Sequence, residues 1–356
     1  MINRKLNIGI IGAGLMGQLA HIKNYAAIED CQIVALAEHR PILRKKVATM
    51  YGISKTYETH TELLKDPNVE AVVIITPRQF TGPVAYDCLM SGKHVLTEKP
   101  MAGTFEQGKR LVETAKKQKV KYVVGYMKRY DEGVLEAKNY LTSLIKDGDL
   151  GPILFVRAHC FMGDSFCNPS GQISTDEEMV EHIKGWPIYP QWIPKIYEMD
   201  FAGYLNTYSH DTNLLRFLFD KNPKPEYVNF TRMDGRLAVL NFGDFLCSLE
   251  TGRSDYHYWD ENIQIYFKKG HISIKLPAPL LENAVAKVEI YMSGKKPEER
   301  VFSGNWTWAF KAQAEAFVSD ILQGNQSRNE GMDALDDLRL CEEMWKMQMQ
   351  FHPHKG

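Results

Sequence analysis

The chain has 356 residues, 44% of them hydrophobic and 24% charged, with a formal net charge of −1. That length exceeds one compact core and predicts two domains of ordinary globular composition. The balanced charge offers no basic field for nucleic acid or an anionic membrane surface. No apolar run approaches the ~20 residues that span a bilayer. Six scattered cysteines (Cys31, Cys88, Cys160, Cys167, Cys247 and Cys341) form no CxxC pair, which predicts reduced thiols rather than a disulfide framework or a zinc site. A structural strand starts within a few residues of Met1, so no signal peptide is expected and the expected location is the cytoplasm.

The first element is a short apolar strand over residues 7–11, followed by Gly12, Gly14 and Gly17 in GxGxxG spacing and then a helical pattern. In that arrangement the first glycine makes the tight turn and the second lets backbone approach a pyrophosphate. The third lets helix and strand pack closely, so the helix N-terminus faces the phosphates. A second strand over 32–37 ends in Glu38, 21 residues after Gly17, where a carboxylate accepts the ribose hydroxyls of an adenosine. Further strands are expected over 71–76, 94–96 and 122–124. The helices between them start at S/T-x-x-E/Q boxes (Thr59 to Glu62, Thr104 to Gln107) and stop at signals such as Gly92. Near-continuous apolar strands such as 72–75 indicate a parallel sheet covered on both faces. Residues 1–125 therefore read as a doubly wound, NAD(P)-binding Rossmann domain.

After residue 125 the pattern changes. A helix over 133–146 leads to a strand over 153–161. Alternating runs at Ile263/Ile265/Phe267, Ile272/Ile274/Leu276 and Val288/Ile290/Met292 predict a mainly antiparallel sheet. Asn305 is expected to cap a helix carrying Trp306, Phe310, Phe317 and Ile321 that stops at Gly324, and a last helix covers about 332–349. Residues 126–356 thus read as a second, α+β domain. The segment 163–194, rich in aromatics, prolines and acids, is irregular; its aromatic rings suit a loop core and equally suit stacking on sugar rings. Glu178 and His182 have helical i,i+4 spacing, but without a third ligand no metal is expected.

Glu98-Lys99-Pro100 follows the strand at 94–96, at the carboxyl edge where open α/β sheets bind ligands. Three segments, Gly12-x-Gly-x-x-Gly, Ser91-Gly92-Lys93-His94-Val95-Leu96-Thr97-Glu98-Lys99-Pro100-Met101 and Gly125-Tyr126-Met127-Lys128-Arg129-Tyr130, together resemble the glucose–fructose oxidoreductase / inositol dehydrogenase (Gfo/Idh/MocA) family. The likeness continues more loosely through residues 203–216.

The resemblance implies that residues 126–356 are a substrate-binding and oligomerisation domain built on a large open sheet, and that the reaction is oxidation or reduction of a secondary alcohol or ketone on a sugar, cyclitol or glycoside. It implies cofactor contacts from Gly12, Gly14, Leu15, Met16, Glu38, His39, Thr76, Glu98 and Lys99. Substrate contacts fall to Tyr126, Lys128, Asn206 and His210, with a structural ion pair the equal alternative for Lys128, and the catalytic set is Lys99, His210 and Asn206. His210 takes the role of general acid/base, for which the ordinary imidazole pKa near 6.5 is suited. Lys99 takes that of hydrogen-bond donor to the reacting oxygen. Asn206 stands where the family has an Asp four residues before the histidine, and Asn213 also stands where an Asp is common. Asn206 can therefore orient but cannot carry a proton as a carboxylate does.

Glu38 favours NAD over NADP, with the following His39 and Arg40 softening that preference. A dimer or tetramer is expected from an open sheet buried against a second copy. Competing readings are a keto-sugar or nucleotide-sugar reductase, an enzyme that retains its nicotinamide between turnovers, and a non-catalytic NAD(P)-binding regulator.

Overall fold

The structure, a computed structural model, describes residues 4–163, 167, 170–178, 183–232 and 234–352. In chain order the N-terminal strands and helices are β1 (Leu6–Ile11), α1 (Lys23–Ala26), β2 (Cys31–Ala37), α2 (Pro41–Tyr51), β3 (Lys55–Tyr57), α3 (His60–Leu63), β4 (Ala71–Ile74), α4 (Arg78–Met90), β5 (His94–Thr97), α5 (Phe105–Gln118) and β6 (Tyr122–Val124). A π-helical turn, Gly17–Ile22, joins the glycine loop to α1. The six strands form a parallel sheet in the order β3-β2-β1-β4-β5-β6, the doubly wound arrangement that the apolar strands predicted. Its central strands β1 and β4 are buried almost throughout, because helices cover both faces.

Local signals place several of these boundaries. Thr59 and Glu62 complete a reciprocal capping box on α3. Thr104 accepts from the Gln107 amide at the start of α5, while the Gln107 side chain accepts from Gly103 rather than from Thr104. Gly92, with φ +72°, follows the end of α4 as expected of a helix stop. Strand β3 went unanticipated: three residues, two of them exposed, carry no alternation to read.

The remaining elements are α6 (Glu132–Asp147), β7 (Ile153–Met162), α7 (Glu198–Phe219), β8 (Lys224–Asn229), β9 (Gly235–Asn241), β10 (Leu246–Arg253), β11 (Trp259–Phe267), β12 (Gly270–Leu276), β13 (Lys287–Met292), β14 (Glu298–Phe302), α8 (Ala309–Gln323) and α9 (Gly331–Phe351). Eight strands form the second sheet in the order β14-β13-β12-β11-β7-β10-β9-β8, antiparallel except for the β7–β10 pair. Inward residues such as Val156, Ala158, Leu249, Ile263, Ile265, Ile272 and Val288 are buried. Strands β8, β9, β10 and β14 were not anticipated; buried Arg236 and Thr251 interrupt the apolar alternation of β9 and β10. The helix expected to start at Asn305 begins instead at Ala309. Asn305 is engaged by the Glu132 carboxylate, and Trp306, 89% exposed, is not part of a helix face.

The chain divides into two compact units. The first is Met1–Tyr126 with Pro169–Ala202 and Phe310–Leu338; the second is Met127–Asn168, Gly203–Ala309 and Arg339–Gly356. The expected boundary at 125/126 therefore marks where the first unit is left, but two later segments return to it. The reason is apolar burial and backbone pairing. Ala314, Phe317 and Val318 of α8 join the core formed by Ile8, Ile10 and Leu36. Leu335 and Leu338 of α9 reach Gly108, and the Val124 amide donates to the Asn329 carbonyl.

Candidate active site

The parallel sheet of the first unit brings Gly12–Gly14, Glu38, Thr76 and Glu98-Lys99 to the carboxyl ends of β1, β2, β4 and β5, because parallel strands all end on the same edge. Gly12 has φ +98°, and a Cβ there would lie 2.1 Å from the Ile75 carbonyl oxygen; a Cβ on Gly17 would lie 2.7 Å from the Gly12 carbonyl oxygen. These two glycines are explained by the protein itself. Gly14 is not. It lacks a positive φ, and its Cβ would meet only the Arg40 Nη2, at 3.8 Å. A glycine that internal packing does not require, placed where the pyrophosphate approaches, fits a dinucleotide at this loop. Leu15, 41% exposed, and half-buried Met16 complete the turn.

Glu38 is buried yet has many partners. Its Oε2 accepts from the Ala13 amide (2.9 Å) and Arg40 Nη2 (3.0 Å), and its Oε1 accepts from Arg40 Nε (2.8 Å) and the Arg40 amide (3.2 Å). His39 Nδ1 stands 3.5 Å from Oε1. Burial alone would raise the carboxyl's pKa, but the Arg40 side chain and the two amides outweigh it and hold the group below its usual range. All four lone-pair positions are taken, so accepting a ribose hydroxyl requires Arg40 to release at least one of them.

Glu98 is fixed from two sides. Its Oε1 lies 2.7 Å from Nε2 of His21, a histidine 2% exposed, and its Oε2 accepts from the Lys99 amide at 3.2 Å. Burial pushes its pKa up, and the His21 contact and the Lys99 charge more than reverse that, leaving it lowered. His21 also meets the Phe310 ring edge-on at 5.9 Å. The loop carrying half-buried Lys99 is thus held by a histidine from the helical turn after the glycine loop. Thr76, half-buried, hydrogen-bonds to Thr81 at 3.3 Å.

In the second unit, Asn206 and His210 lie one turn apart on α7, both half-buried, as their i,i+4 spacing requires. Asn213 is buried and accepts from Arg129 Nε at 2.6 Å. Lys128, one of the expected substrate contacts, is 6% exposed and donates from Nζ to Glu261 Oε1 at 2.5 Å. Tyr126 belongs to the first unit and is 2% exposed.

The Lys128–Glu261 pair belongs to a buried cluster with Asp211 and Cys160, whose sulfur and carboxylate oxygens lie within 4.8 Å of those of Glu261. Trp259 Nε1 donates to Glu261 Oε2 at 2.9 Å. Burial pushes the Asp211 carboxyl up to about 7 against the pull of Lys128, and Glu261 adds to the rise. The lysine ammonium supplies the cation here. Of Glu178 and His182, where no metal was expected, Glu178 is exposed and His182 lies outside the described residues.

Sequence reasoning missed His21, Gln18, Asp211, Glu261 and Glu177. Gln18 and His21 had a readable signal, since i and i+3 share a face of the helix opened by the glycine loop. The others meet their partners only through the fold. Glu177, in the irregular segment, accepts from the amides of Ile42 (2.8 Å) and Leu43 (2.9 Å), more than 130 residues earlier.

The chain resembles known oxidoreductases in sequence and in fold. Residues 6–126 match the family model described as "Oxidoreductase family, NAD-binding Rossmann fold". The chain is 30% identical over 179 residues to levoglucosan dehydrogenase of Pseudarthrobacter phenanthrenivorans, covering 48% of this chain and 44% of that protein. It is 28% identical over 146 residues to myo-inositol 2-dehydrogenase of Thermotoga maritima, covering 41% and 42%. These matches span about half the length of the relatives. Among solved structures, aldose-aldose oxidoreductase from Caulobacter crescentus, complexed with glycerol, superposes with a TM-score of 0.76 at 22% identity, covering 98% of this chain and 99% of that one. A levoglucosan dehydrogenase in complex with NADH and levoglucosan gives a TM-score of 0.76 at 18% identity, covering 98% of each chain. At that identity the structures establish the shared fold. Over residues 6–126 the chain thus resembles the Gfo/Idh/MocA oxidoreductases, whose NAD-binding domain that model describes.

Proposed function

We propose that the protein is an NAD-dependent oxidoreductase acting on a secondary alcohol or ketone of a sugar, cyclitol or glycoside. The observation that carries this reading is the gathering of the glycine loop, Glu38 and Glu98-Lys99 at one edge of the parallel sheet, with Gly14 left unexplained by the protein's own packing. Relatives named for levoglucosan and inositol oxidation support the substrate class.

Bound nicotinamide supplies the hydride acceptor, or in reverse the donor. The chain's own groups do the rest. His210 takes the hydroxyl proton as the carbon is oxidised and returns it in the other direction. Lys99, at the carboxyl edge of the parallel sheet, is a hydrogen-bond donor suited to stabilise negative charge developing on a reacting oxygen. Asn206, one turn before His210, orients the substrate or the imidazole. Glu98, pinned by His21, holds the backbone that presents Lys99. NAD is favoured over NADP because Glu38 is a buried carboxylate where a 2′-phosphate would approach.

The test is absorbance at 340 nm with NAD or NADP against a panel of inositols, hexoses, amino sugars and simple glycosides. A rise with NAD and one member is expected. Silence across the panel, in protein shown to bind NADH, would overturn the dissociable-dehydrogenase reading.

A further inference from the structure

Within the irregular segment, residues 170–178 run as a strap within the first unit, from the helical turn behind the glycine loop to the start of α2. At one end the Gln18 carboxamide pairs with the backbone of Ile173. Gln18 Oε1 accepts from the Ile173 amide at 2.7 Å, and Gln18 Nε2 donates to the Ile173 carbonyl at 3.0 Å and to that of Ala13 at 2.8 Å. At the other end the Glu177 carboxylate takes the amides of Ile42 and Leu43, and Thr175 Oγ1 donates to Glu177 Oε2 at 2.9 Å. Pro41, the first residue of α2, has no N–H. The two amides held by Glu177 are therefore the first that this helix has to offer an anion.

The cationic groups after β2 are committed as well. Arg40 is locked on the Glu38 carboxylate, and Arg44 Nη1 donates to the Glu38 carbonyl. Glu177 lies close enough to Arg40 to act on it electrostatically. A dinucleotide whose adenosine ribose meets Glu38 presents its 2′ position to this neighbourhood. A 2′-phosphate brings about two negative charges. Sites that accept one offer an arginine or free helix-end amides, and both are filled here by carboxylates.

We propose that Glu177 is a second cofactor-selecting residue, delivered by the strap to the N-terminus of α2, where it excludes a 2′-phosphate and so favours NAD over NADP. This rests on the reading that the glycine loop and Glu38 hold the adenosine half of a dinucleotide. Glu38 alone is a partial discriminator, because Arg40 neutralises it. Glu177 adds a charge that no lysine or arginine side chain among the described residues meets in a salt bridge, and it occupies the amides that a phosphate would use.

The experiment is equilibrium binding of NADH and NADPH, followed by nicotinamide fluorescence, to the full chain and to Glu177→Gln and Thr175→Val. In Glu177→Gln, NADPH binding is expected to tighten by about tenfold or more while NADH binding stays within about threefold, with the change larger at low salt. Thr175→Val keeps the charge and removes only the hydroxyl contact, so its ratio of affinities is expected to stay within about threefold of the parent. An unchanged ratio in Glu177→Gln would overturn the role of Glu177 and leave the dinucleotide site standing. A shift of equal size in Thr175→Val would show that strap geometry, not charge, sets the preference, and would overturn it too. Failure of the parent chain to bind either nucleotide would overturn the dinucleotide site itself and this proposal with it.

Discussion

At the scale of single residues, the groups proposed for chemistry differ from those that hold them in place. Lys99→Met and His210→Ala each remove a group that acts only as the reacting oxygen gains or loses its proton. Turnover is expected to fall by roughly 10²-fold or more, with NADH binding nearly unchanged. Near-normal turnover in either variant would remove that residue from the catalytic set. Asp211 gives a different kind of prediction. Its carboxyl is raised to about 7 in the folded chain by burial, with Glu261 adding to the rise, against about 3.9 unfolded. Between those values the folded chain holds a proton that the unfolded chain releases. The contribution to stability is therefore present below the unfolded pKa and is lost as pH rises toward 7. Asp211→Asn lacks this dependence. Relative to the parent, its stability is expected to improve from pH 5 to pH 8 by about 1 kcal/mol or more. A pH-independent difference in melting temperature would show that Asp211 does not hold that proton.

At the scale of elements, the glycine loop separates what the fold needs from what the ligand needs. Gly12→Ala places a Cβ against the Ile75 carbonyl at a residue with φ +98°, so a stability loss of about 2 kcal/mol or more is expected in denaturant melts. Gly14→Ala meets nothing nearer than 3.8 Å. Its stability is expected to match the parent's while NADH binding weakens by about tenfold or more, since the methyl group stands in the space the pyrophosphate takes. Loss of folding in Gly14→Ala, or undiminished NADH binding, would contradict that division. Elements with strong local patterns were legible: β1, β2, β4, β5, β6, β7 and β11 to β13 lie within a few residues of where alternation or apolar runs put them. The ones missed are short, as β3 is, or carry buried polar residues on their inward face, as β9 and β10 do. Asn305 shows the same limit at a helix start, since a good cap residue was drawn off by Glu132 across 173 residues of sequence.

At the scale of the whole molecule, α8 and part of α9 complete the first unit's core, begun by β1, β2 and β4, after the chain has built most of the second unit. No helix among the described residues is long and apolar enough to cross a membrane. The outward side of the eight-stranded sheet mixes apolar Phe155 and Tyr266 with the Arg157–Glu250 ion pair, whose two contacts are 2.9 and 3.0 Å. That surface is proposed to meet a second copy, because an extended sheet leaves more apolar area than isolated side chains do. Light scattering at micromolar concentration is expected to give at least twice the chain mass of 40.8 kDa; a monomer would refute the assembly.

The sequence by itself determined the doubly wound domain, the glycine loop, the acid after β2 and the position of Lys99 at a strand's carboxyl end. These are set by periodicity and spacing within a few tens of residues. The sequence also set Asn206 and His210 four residues apart, and the structure forms the helix α7 that puts them on one face. Only the tertiary structure decided which charges are committed to one another: His21 to Glu98, Arg40 to Glu38, Lys128 to Glu261, and Glu177 to the start of α2. Except for Arg40 and Glu38, these partners are separated by 77 to 135 residues. Hydrogen bonding and burial select such pairs by distance in space, and local pattern carries no record of that distance.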